Sequence, residues 1–192
     1  AIQNKILSLE LILHILQNCG PAFQSGDKIC DAVRKYLCIS LLGNCTSQIV
    51  QVSSLSMKIF LALMGRFKHH LKTEFEIFFT SIFFKMLESE NSTHDHKLQV
   101  LDVFHKISSD QKTLIEFFIN YDCDLDTSDV FRRIVDCFAR IAKNPVSPNS
   151  TAVDEEKVRK MGIEGLVLIL QSMLRAKGVV ADAVTVDPPP SA

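Results

Sequence analysis

The chain has 192 residues, enough for one domain that buries roughly 70% of its unfolded surface. Hydrophobic residues make up 47% of the sequence, with 13 Phe, 7 Gly and no Trp, which argues against a disordered chain and against a turn-rich β protein. Lys and Arg number 21 against 22 Asp and Glu, and the formal net charge of -1 excludes a global basic field for nucleic acid or an anionic bilayer.

The cysteines and the amino-terminal segment indicate an intracellular chain. The 6 Cys residues form no CxxC pair and mostly fall inside apolar helical patterns, where a free thiol behaves as a small hydrophobic group. We expect them to be reduced and the compartment to be cytoplasmic. Polar residues interrupt the apolar amino terminus at helical spacing, unlike a signal peptide. The chain opens inside a helical pattern without Met, which suggests a piece of a longer protein.

The first two predicted helices lie before residue 45. Residues 2–18 carry an apolar stripe wide enough to be buried on two sides, and Asn18-Cys19-Gly20-Pro21 ends it. Ser25-Gly26-Asp27 offers an N-cap for a second helix through Leu42. Gly43-Asn44 predicts a left-handed C-cap at its end.

Two strongly apolar helices follow. The third runs from near Ser47 to Phe67 and carries apolar residues on nearly every face. The fourth covers about residues 70–88, where aromatic residues recur at i, i+3 and i+4 spacing. Large apolar side chains at this spacing indicate core packing rather than a cofactor site.

The second half of the chain predicts four more helices. Ser92 or Thr93 caps the fifth, which extends to about residue 108, and Asp110 caps the sixth. The seventh covers about residues 128–143, and the Pro-containing stretch 144–150 is a loop.

The eighth helix, from about residue 153 to 177, contains two glycines. We expect Gly162 and Gly165 to weaken it by about 1 kcal/mol each relative to Ala if they are exposed. Residues 178–192 are predicted to be a flexible tail.

About eight helices joined by short loops, several of them apolar on more than one face, do not fit a simple four-helix bundle. They fit antiparallel pairs stacked in layers, as in an all-α solenoid of armadillo or HEAT type. No clean repeat of about 40 residues is visible to prove it. We therefore predict one helical domain over residues 1–177.

Neither metal binding nor catalysis finds support in the sequence. Asp122, Asp124 and Asp126 occupy the first, third and fifth positions of an EF-hand loop, but Thr127 and Arg133 stand where Gly and Glu are required. His69-His70, His94 and His96 have no ligand partners at zinc spacing and are interpreted as surface histidines. No Gly-rich phosphate loop, nucleophile elbow or paired-carboxylate motif is present. We expect no metal, cofactor or catalytic residue.

One basic cluster lies at the predicted junction of the third and fourth helices. It consists of Arg66, Phe67, Lys68, His69, His70, Leu71 and Lys72. A solvated turn with outward-pointing side chains is the simpler interpretation. The alternative is a contact of Arg66, Lys68, His69, His70 and Lys72 with an acidic partner or an anionic lipid surface.

The stretch Asn120-Tyr121-Asp122-Cys123-Asp124 interrupts the helical pattern between the sixth and seventh helices. In structural terms, Asn120 can satisfy helix-end carbonyls, and Asp122 or Asp124 can accept N–H groups at the next helix start. A functional interpretation requires these polar groups to reach another domain.

This stretch, continued by Val130-Phe131-Arg132-Arg133-Ile134-Val135, resembles the hallmark box of the HUS ("homology upstream") domain in large Arf guanine-nucleotide exchange factors. The resemblance covers about residues 1–143 and points to the brefeldin-A-inhibited, trans-Golgi branch. Further blocks that carry it are Gln3–Phe23, Tyr36-Leu37-Cys38, Phe67–Lys72, Glu76-Ile77-Phe78-Phe79 and Asp95-His96-Lys97.

The resemblance implies a non-catalytic regulatory module with an armadillo-like fold. In that family the region works with an upstream dimerisation and cyclophilin-binding domain, and the box supports the contact between the two. The pair is linked to homodimerisation, to Arf-family GTPases, to peripheral association with trans-Golgi membranes and to control of the exchange domain. A Phe-Arg-Leu-Pro-Gly-Glu-like catalytic loop is absent from this sequence.

The expected roles of the box residues follow from the resemblance. Asn120, Asp122 and Asp124 would hydrogen-bond a neighbouring helix pair or the upstream domain, whereas Tyr121 and Cys123 would pack. Asn120→Ala or Asp122→Ala would then weaken association with the upstream domain and leave the fold intact. The rival hypothesis is a generic α-solenoid scaffold that binds a peptide or helix of another protein, with the box as a simple turn.

Overall fold

The computed structural model describes residues 2–89, 91–123, 128–143 and 151–184. These residues are mostly helical and contain no β-strand, as predicted for an all-α chain. The chain divides into two compact units, residues 1–103 and 104–192, and the division falls inside one helix. Each unit has its own buried core.

The helices of the first unit match the first four predicted helices. They are α1 Ile2–Asn18, α2 Pro21–Gln24, α3 Asp27–Ala32, π1 Val33–Cys38, α4 Ile39–Cys45, α5 Val50–Phe67, α6 Lys72–Phe78, π2 Phe79–Phe83 and α7 Phe84–Glu88. Here π1 and π2 are π-helical turns that join α3 to α4 and α6 to α7 without a break.

Two expectations for this unit are wrong. The helix does not stop at Gly43 but continues to Cys45, and no glycine among the described residues has a positive φ. Burial of α1 is one-sided: Leu9 and Leu16 are buried, whereas Leu7 and Leu11 are both 55% exposed. A wide apolar stripe therefore does not imply burial on both sides.

Phe60 of α5 forms the centre of the first core. Its ring lies 4.8 Å from that of Phe83 and 5.0 Å from that of Phe78, between ring centroids, with Phe75 and Phe79 on other sides. All five rings are almost completely buried. The aromatic spacing over residues 70–88 thus indicates a core, as predicted.

The second unit begins within α8 His94–Ser109 and continues through α9 Gln111–Phe117, π3 Phe118–Asp122, α10 Val130–Lys143 and α11 Ala152–Val184. Two predicted caps are confirmed. The hydroxyl of Thr93 accepts from the His96 N–H at 3.3 Å, and the Asp110 carboxylate accepts from the Lys112 N–H at 3.2 Å. Helix α11 extends beyond residue 177, and the predicted loop 144–150 lies outside the described residues.

The contact between α10 and α11 depends on two glycines. Gly162 faces Ala142 and Gly165 faces Phe138, so the two helices run antiparallel. A Cβ on Gly162 would lie 2.8 Å from the Ala142 backbone nitrogen, and a Cβ on Gly165 would overlap the Phe138 ring. The expected weakening by these glycines applied only if they were exposed, and both are buried at the close contact between the two helices.

Further contacts connect the helices within each unit. In the first, α1 and α4 pack on α5. In the second, the His105 Nε2–H donates to the Met161 carbonyl at 2.6 Å, and the Ser172 hydroxyl donates to the Ser108 carbonyl at 2.7 Å, so α8 is tied to α11. Within each unit this packing of helices on neighbouring helices is consistent with the predicted all-α, solenoid-like fold.

We expect Gly165→Ala to lower the free energy of unfolding by about 1–3 kcal/mol, because the added methyl group must displace the buried Phe138 ring. Gly65→Ala is the matched control, since Gly65 is exposed within α5 and has open space at its Cβ position. The control should be neutral or stabilising by up to about 1 kcal/mol. Urea unfolding of both variants measures the difference, and equal stabilities would contradict the close α10–α11 contact.

Candidate functional site: the turn between α9 and α10

A π-helical turn ends the helix that begins as α9. The Cys123 N–H donates to the Phe118 carbonyl at 3.1 Å, an i to i+5 hydrogen bond. This turn places Tyr121 inside the unit, where it is 4% exposed and its ring centroid lies 5.2 Å from that of Phe117. Turns of this type are found frequently at functional sites. Nothing in the apolar spacing of residues 111–122 predicts it.

Asp122 caps the start of α10. One carboxylate oxygen accepts from the Phe131 N–H and the other from the Arg132 N–H, both at 2.8 Å. Both N–H groups lie in the first turn, where no carbonyl of the helix can reach them, and the positive end of the helix dipole favours a negative charge there. The structural interpretation of Asp122 is therefore confirmed.

Asp129, the residue before α10, does not cap the helix with its side chain. The Asp129 carbonyl accepts from the Arg133 N–H at 2.9 Å, which is the first hydrogen bond of the helix. The Asp129 side chain, 54% exposed, lies 3.8 Å from the Arg132 guanidinium instead. The cap therefore comes from the preceding helix, and it fixes the end of π3 to the start of α10.

The remaining box residues differ in exposure. Asn120 is exposed and its side chain has no hydrogen bond to the described residues. Cys123 is also exposed, so the expectation that it packs is wrong. Asp124 lies outside the described residues, as does Asp126 of the EF-hand-like triplet. Of the five box residues, Tyr121 and Asp122 hold the turn together, whereas Asn120 and Cys123 face solvent.

Because Asp122 caps α10, a substitution there affects the stability of the fold as well as any contact with a partner. Because its two oxygens cap α10, Asp122→Ala removes the acceptors of two N–H groups, of which the Phe131 group is part-buried and the Arg132 group is exposed. The expectation that this variant leaves the fold intact is therefore replaced by an expected loss of stability. Asn120→Ala keeps its value as a probe of surface contacts.

Sequence reasoning missed the apolar surface beside this turn. Phe118 is 46% exposed and Ile119 is 56% exposed, although both follow the helical apolar pattern. The Phe118 ring lies 5.5 Å from that of Phe131, between centroids. These two rings and Val135 line a cleft of about 390 Å³. Phe118 follows the same apolar spacing as the buried Leu114, Phe117 and Tyr121, so periodicity alone does not reveal its exposure.

Arg66 of the basic cluster has a structural role. Its guanidinium donates to the Gln17 carbonyl at 2.6 Å and to the Cys19 carbonyl at 3.0 Å. These carbonyls lie at the carboxyl end of α1, where the helix leaves them without an internal partner. Arg66 therefore caps α1, and the expectation that its side chain projects into solvent is wrong.

The other basic residues of the cluster differ in how exposed they are. His69 and His70 are exposed, whereas Lys68 and Lys72 are half-buried. The His70 carbonyl accepts from the Arg34 guanidinium at 2.7 Å. The same guanidinium lies 2.9 Å from the Glu74 carboxylate, so Arg34 and Glu74 add one cation and one anion beside this turn.

One histidine of the first unit is buried. His96 is 5% exposed and its Nε2 lies 2.8 Å from the Ser47 carbonyl, so its interpretation as a surface histidine is wrong. Within the described residues, no helix is both long enough and apolar enough to cross a membrane.

Two buried cysteines of the first unit, Cys38 and Cys45, are chemically quiet. Burial raises the pKa of the Cys45 thiol to about 12. Burial also raises the pKa of Cys38 to about 12, and the nearby Glu74 carboxylate adds to this, while the Arg34 guanidinium acts in the opposite direction. Because the thiolate is the reactive form, both thiols are protected from modification at neutral pH.

Comparison with known proteins shows which family and which relatives the chain resembles. A family model described as "Mon2/Sec7/BIG1-like, HUS domain" matches residues 1–130, which include the whole Asn120–Asp124 stretch. The chain is 40% identical over 175 residues to brefeldin A-inhibited guanine nucleotide-exchange protein 1 of Rattus norvegicus. It is 34% identical over 176 residues to brefeldin A-inhibited guanine nucleotide-exchange protein 3 of Arabidopsis thaliana.

A fungal relative is also similar. The chain is 32% identical over 159 residues to the ADP-ribosylation factor guanine nucleotide-exchange factor sec71 of Schizosaccharomyces pombe. The alignments cover 90%, 90% and 77% of this chain, but 10%, 10% and 9% of the three relatives. The chain therefore spans about a tenth of the length of the curated relatives it matches.

We expect Asp122→Ala to lower the free energy of unfolding by about 1–2 kcal/mol, because two first-turn N–H groups of α10 lose their acceptors. Amide hydrogen exchange at Phe131 and Arg132 should become faster in the same variant. Asp136→Ala is the control, since Asp136 is exposed in the same helix, and it should change stability by less than about 0.5 kcal/mol. Equal stability of the two variants would show that the cap contributes nothing.

We expect iodoacetamide at pH 8 to alkylate Cys123 before Cys38 and Cys45 in the folded chain. Cys123 is exposed, whereas a thiol with a pKa of about 12 is ionised at about one part in ten thousand at this pH. Peptide mass spectrometry over time measures the order. In denaturant the three thiols should react alike, and alkylation of Cys45 at the rate of Cys123 without denaturant would contradict the structure.

Proposed function

Because the chain belongs to the Mon2/Sec7/BIG1-like HUS-domain family, we propose that it is a non-catalytic regulatory domain of a large Arf guanine-nucleotide exchange factor. Its relatives carry guanine-nucleotide exchange in their names, and they are about ten times as long as this chain. In this proposal the exchange reaction belongs to another part of the long protein. The present domain contributes contacts that orient and control it.

The proposed contact is with the dimerisation and cyclophilin-binding domain upstream in the same protein. The observation that carries this proposal is the exposure of Asn120 beside a turn whose geometry is fixed by the Asp122 cap. A fixed turn offers the Asn120 amide, one acceptor and two donors, in one orientation. A partner that pairs with a pre-organised group loses less conformational entropy on binding.

The wider role follows from the family. We propose that this domain and the upstream domain together support homodimerisation, contact with an Arf-family small GTPase and peripheral association of the full-length protein with trans-Golgi membranes. No nucleic acid is involved, consistent with the formal net charge of -1. The proposed localisation is cytoplasmic and peripheral on those membranes.

The basic turn over residues 66–72 is a secondary candidate for contact with a partner or with lipid. Arg66 is engaged by α1, so the exposed His69 and His70 and the half-buried Lys68 and Lys72 would have to supply it. Attraction of a basic group to an anionic surface contributes about 1 kcal/mol per Lys or Arg. Two half-buried lysines therefore give this turn a smaller role than the box.

The alternative function is a solenoid scaffold that binds a peptide or helix of another protein. The cleft at Phe118 and Phe131 favours it, because an apolar groove between helices can receive an amphipathic helix. A pull-down that compares the upstream domain with GTP-loaded Arf-family proteins separates the two hypotheses. Retention of neither would favour the scaffold.

We expect Asn120→Ala to weaken binding of this chain to the separately expressed upstream domain by about tenfold, equivalent to about 1.4 kcal/mol. The cause is the loss of an exposed amide that pairs only in the complex. Isothermal titration calorimetry gives the affinity, and circular dichroism should report unchanged helicity.

Asn91→Ala is the matched control for this experiment, because Asn91 is also an exposed asparagine but lies in the first unit, far from the box in sequence. It should bind the upstream domain like the unchanged chain. An Asn120→Ala variant that binds as tightly as Asn91→Ala would return the box to a purely structural role.

A further inference from the structure

Two large apolar side chains lie open to solvent immediately before the box. Phe118 is 46% exposed and Ile119 is 56% exposed, while Phe117 and Tyr121 on either side are buried. The Phe118 ring meets Phe131 in an edge-to-face arrangement, with 5.5 Å between centroids and 76° between planes. Val135, one turn further along α10, extends the apolar floor of the cleft.

The cleft is held in shape by contacts already described. Its two walls are π3 and α10, and the Asp122 carboxylate joins them through hydrogen bonds to Phe131 and Arg132. The buried pair of Phe117 and Tyr121 anchors π3 from below. A cleft built from capped, packed helices is pre-formed, which is the usual state of a binding site.

The size and form of the cleft favour a protein segment over a small molecule. Its volume of about 390 Å³ fits one or two aliphatic or aromatic side chains. It is open along the surface, so an occupant can continue across it. An amphipathic helix presents apolar anchors at i and i+3 or i+4, and this spacing suits a groove between two helices.

The charged residues around the cleft indicate which charge a bound segment would carry. Asp122, Asp129 and Asp136 line it together with Arg132, so three carboxylates face one guanidinium. Asp122 is balanced by the N–H groups that it caps, and Asp129 lies 3.8 Å from Arg132. Asp136 is exposed and has no hydrogen bond or ion pair with the described residues. The rim therefore attracts a basic group next to the apolar anchor.

We propose that this cleft is the docking site for a basic amphipathic helix of the upstream domain, with an apolar residue seated between Phe118 and Phe131 and a Lys or Arg near Asp136. The inference rests on the proposed function, since it names the surface and the partner chemistry of the same interdomain contact. It adds a specific claim: most of the affinity comes from the apolar anchor beside the box, and the acidic rim selects a basic partner.

Photo-crosslinking in the full-length exchange factor tests the proposal. Ile119→p-benzoylphenylalanine places the crosslinker at the exposed residue next to Phe118, which lines the cleft, and Val153→p-benzoylphenylalanine places it on α11 at a position that is 75% exposed. The Ile119 variant should crosslink to a predicted helix of the upstream domain that carries an apolar residue within four positions of Lys or Arg. The Val153 variant should not give that product.

Charge reversal tests the role of the rim. Asp136→Lys, combined with the crosslinker at position 119, should lower the yield of this product at least threefold at low salt, and the difference should shrink as salt screens the charges. Glu156→Lys is the control, because Glu156 is exposed on α11 and does not line the cleft. It should leave the yield unchanged.

The outcomes separate this inference from the proposed function. A product with an acidic or uncharged segment, or a yield no higher than at position 153, overturns the cleft proposal even if Asn120→Ala weakens binding of the upstream domain. A product with a basic amphipathic helix elsewhere in the protein supports the cleft chemistry and overturns the upstream domain as its partner. An unchanged yield in Asp136→Lys removes the acidic rim from the proposal.

Discussion

The carboxylate of Asp122 is the interaction on which the second unit's surface depends. It accepts from two N–H groups of α10 while its own backbone ends π3, so a single side chain sets where one helix stops and the next begins. Further along α10, Phe138 and Ala142 meet Gly165 and Gly162 of α11, where a methyl group on either glycine would clash. Helix α10 is therefore held at its start by Asp122 and along its length by α11, and the close-packed contact with α11 leaves little room for displacement.

The structural and functional interpretations of the box are not alternatives, because they fall on different residues. Tyr121 is buried and Asp122 is engaged by the backbone, so both are explained by the fold alone. The side chains of Asn120 and Cys123 make no hydrogen bond to the described residues and face solvent. A short motif can thus hold a turn with two of its side chains and present others on the resulting rigid surface.

Much of the helical architecture could be predicted from the sequence, because apolar periodicity and caps such as Asp110 and Thr93 are local signals. Three features could not. The π-helical turn over residues 118–122 leaves no mark on the apolar pattern of the sequence. The roles of Gly165 and Arg66 depend on the Phe138 ring and on the α1 carbonyls, groups that lie far away in sequence. The exposed Phe118 has the same apolar spacing as its buried neighbours, so the candidate site was predicted only at its polar residues.

The modest size of the cleft is compatible with a contact inside one long polypeptide. Two domains joined by a linker meet at an effective concentration of the order of millimolar, so a contact that is weak between separate proteins is well populated within the chain. One apolar anchor, one exposed amide and an acidic rim can supply such an affinity, because a few central residues dominate most interfaces. A weak contact can also be released, whereas a large apolar interface would fix the two domains permanently. In the proposed interdomain contact, a rigid turn and a small cleft would therefore suit reversible regulation better than permanent assembly.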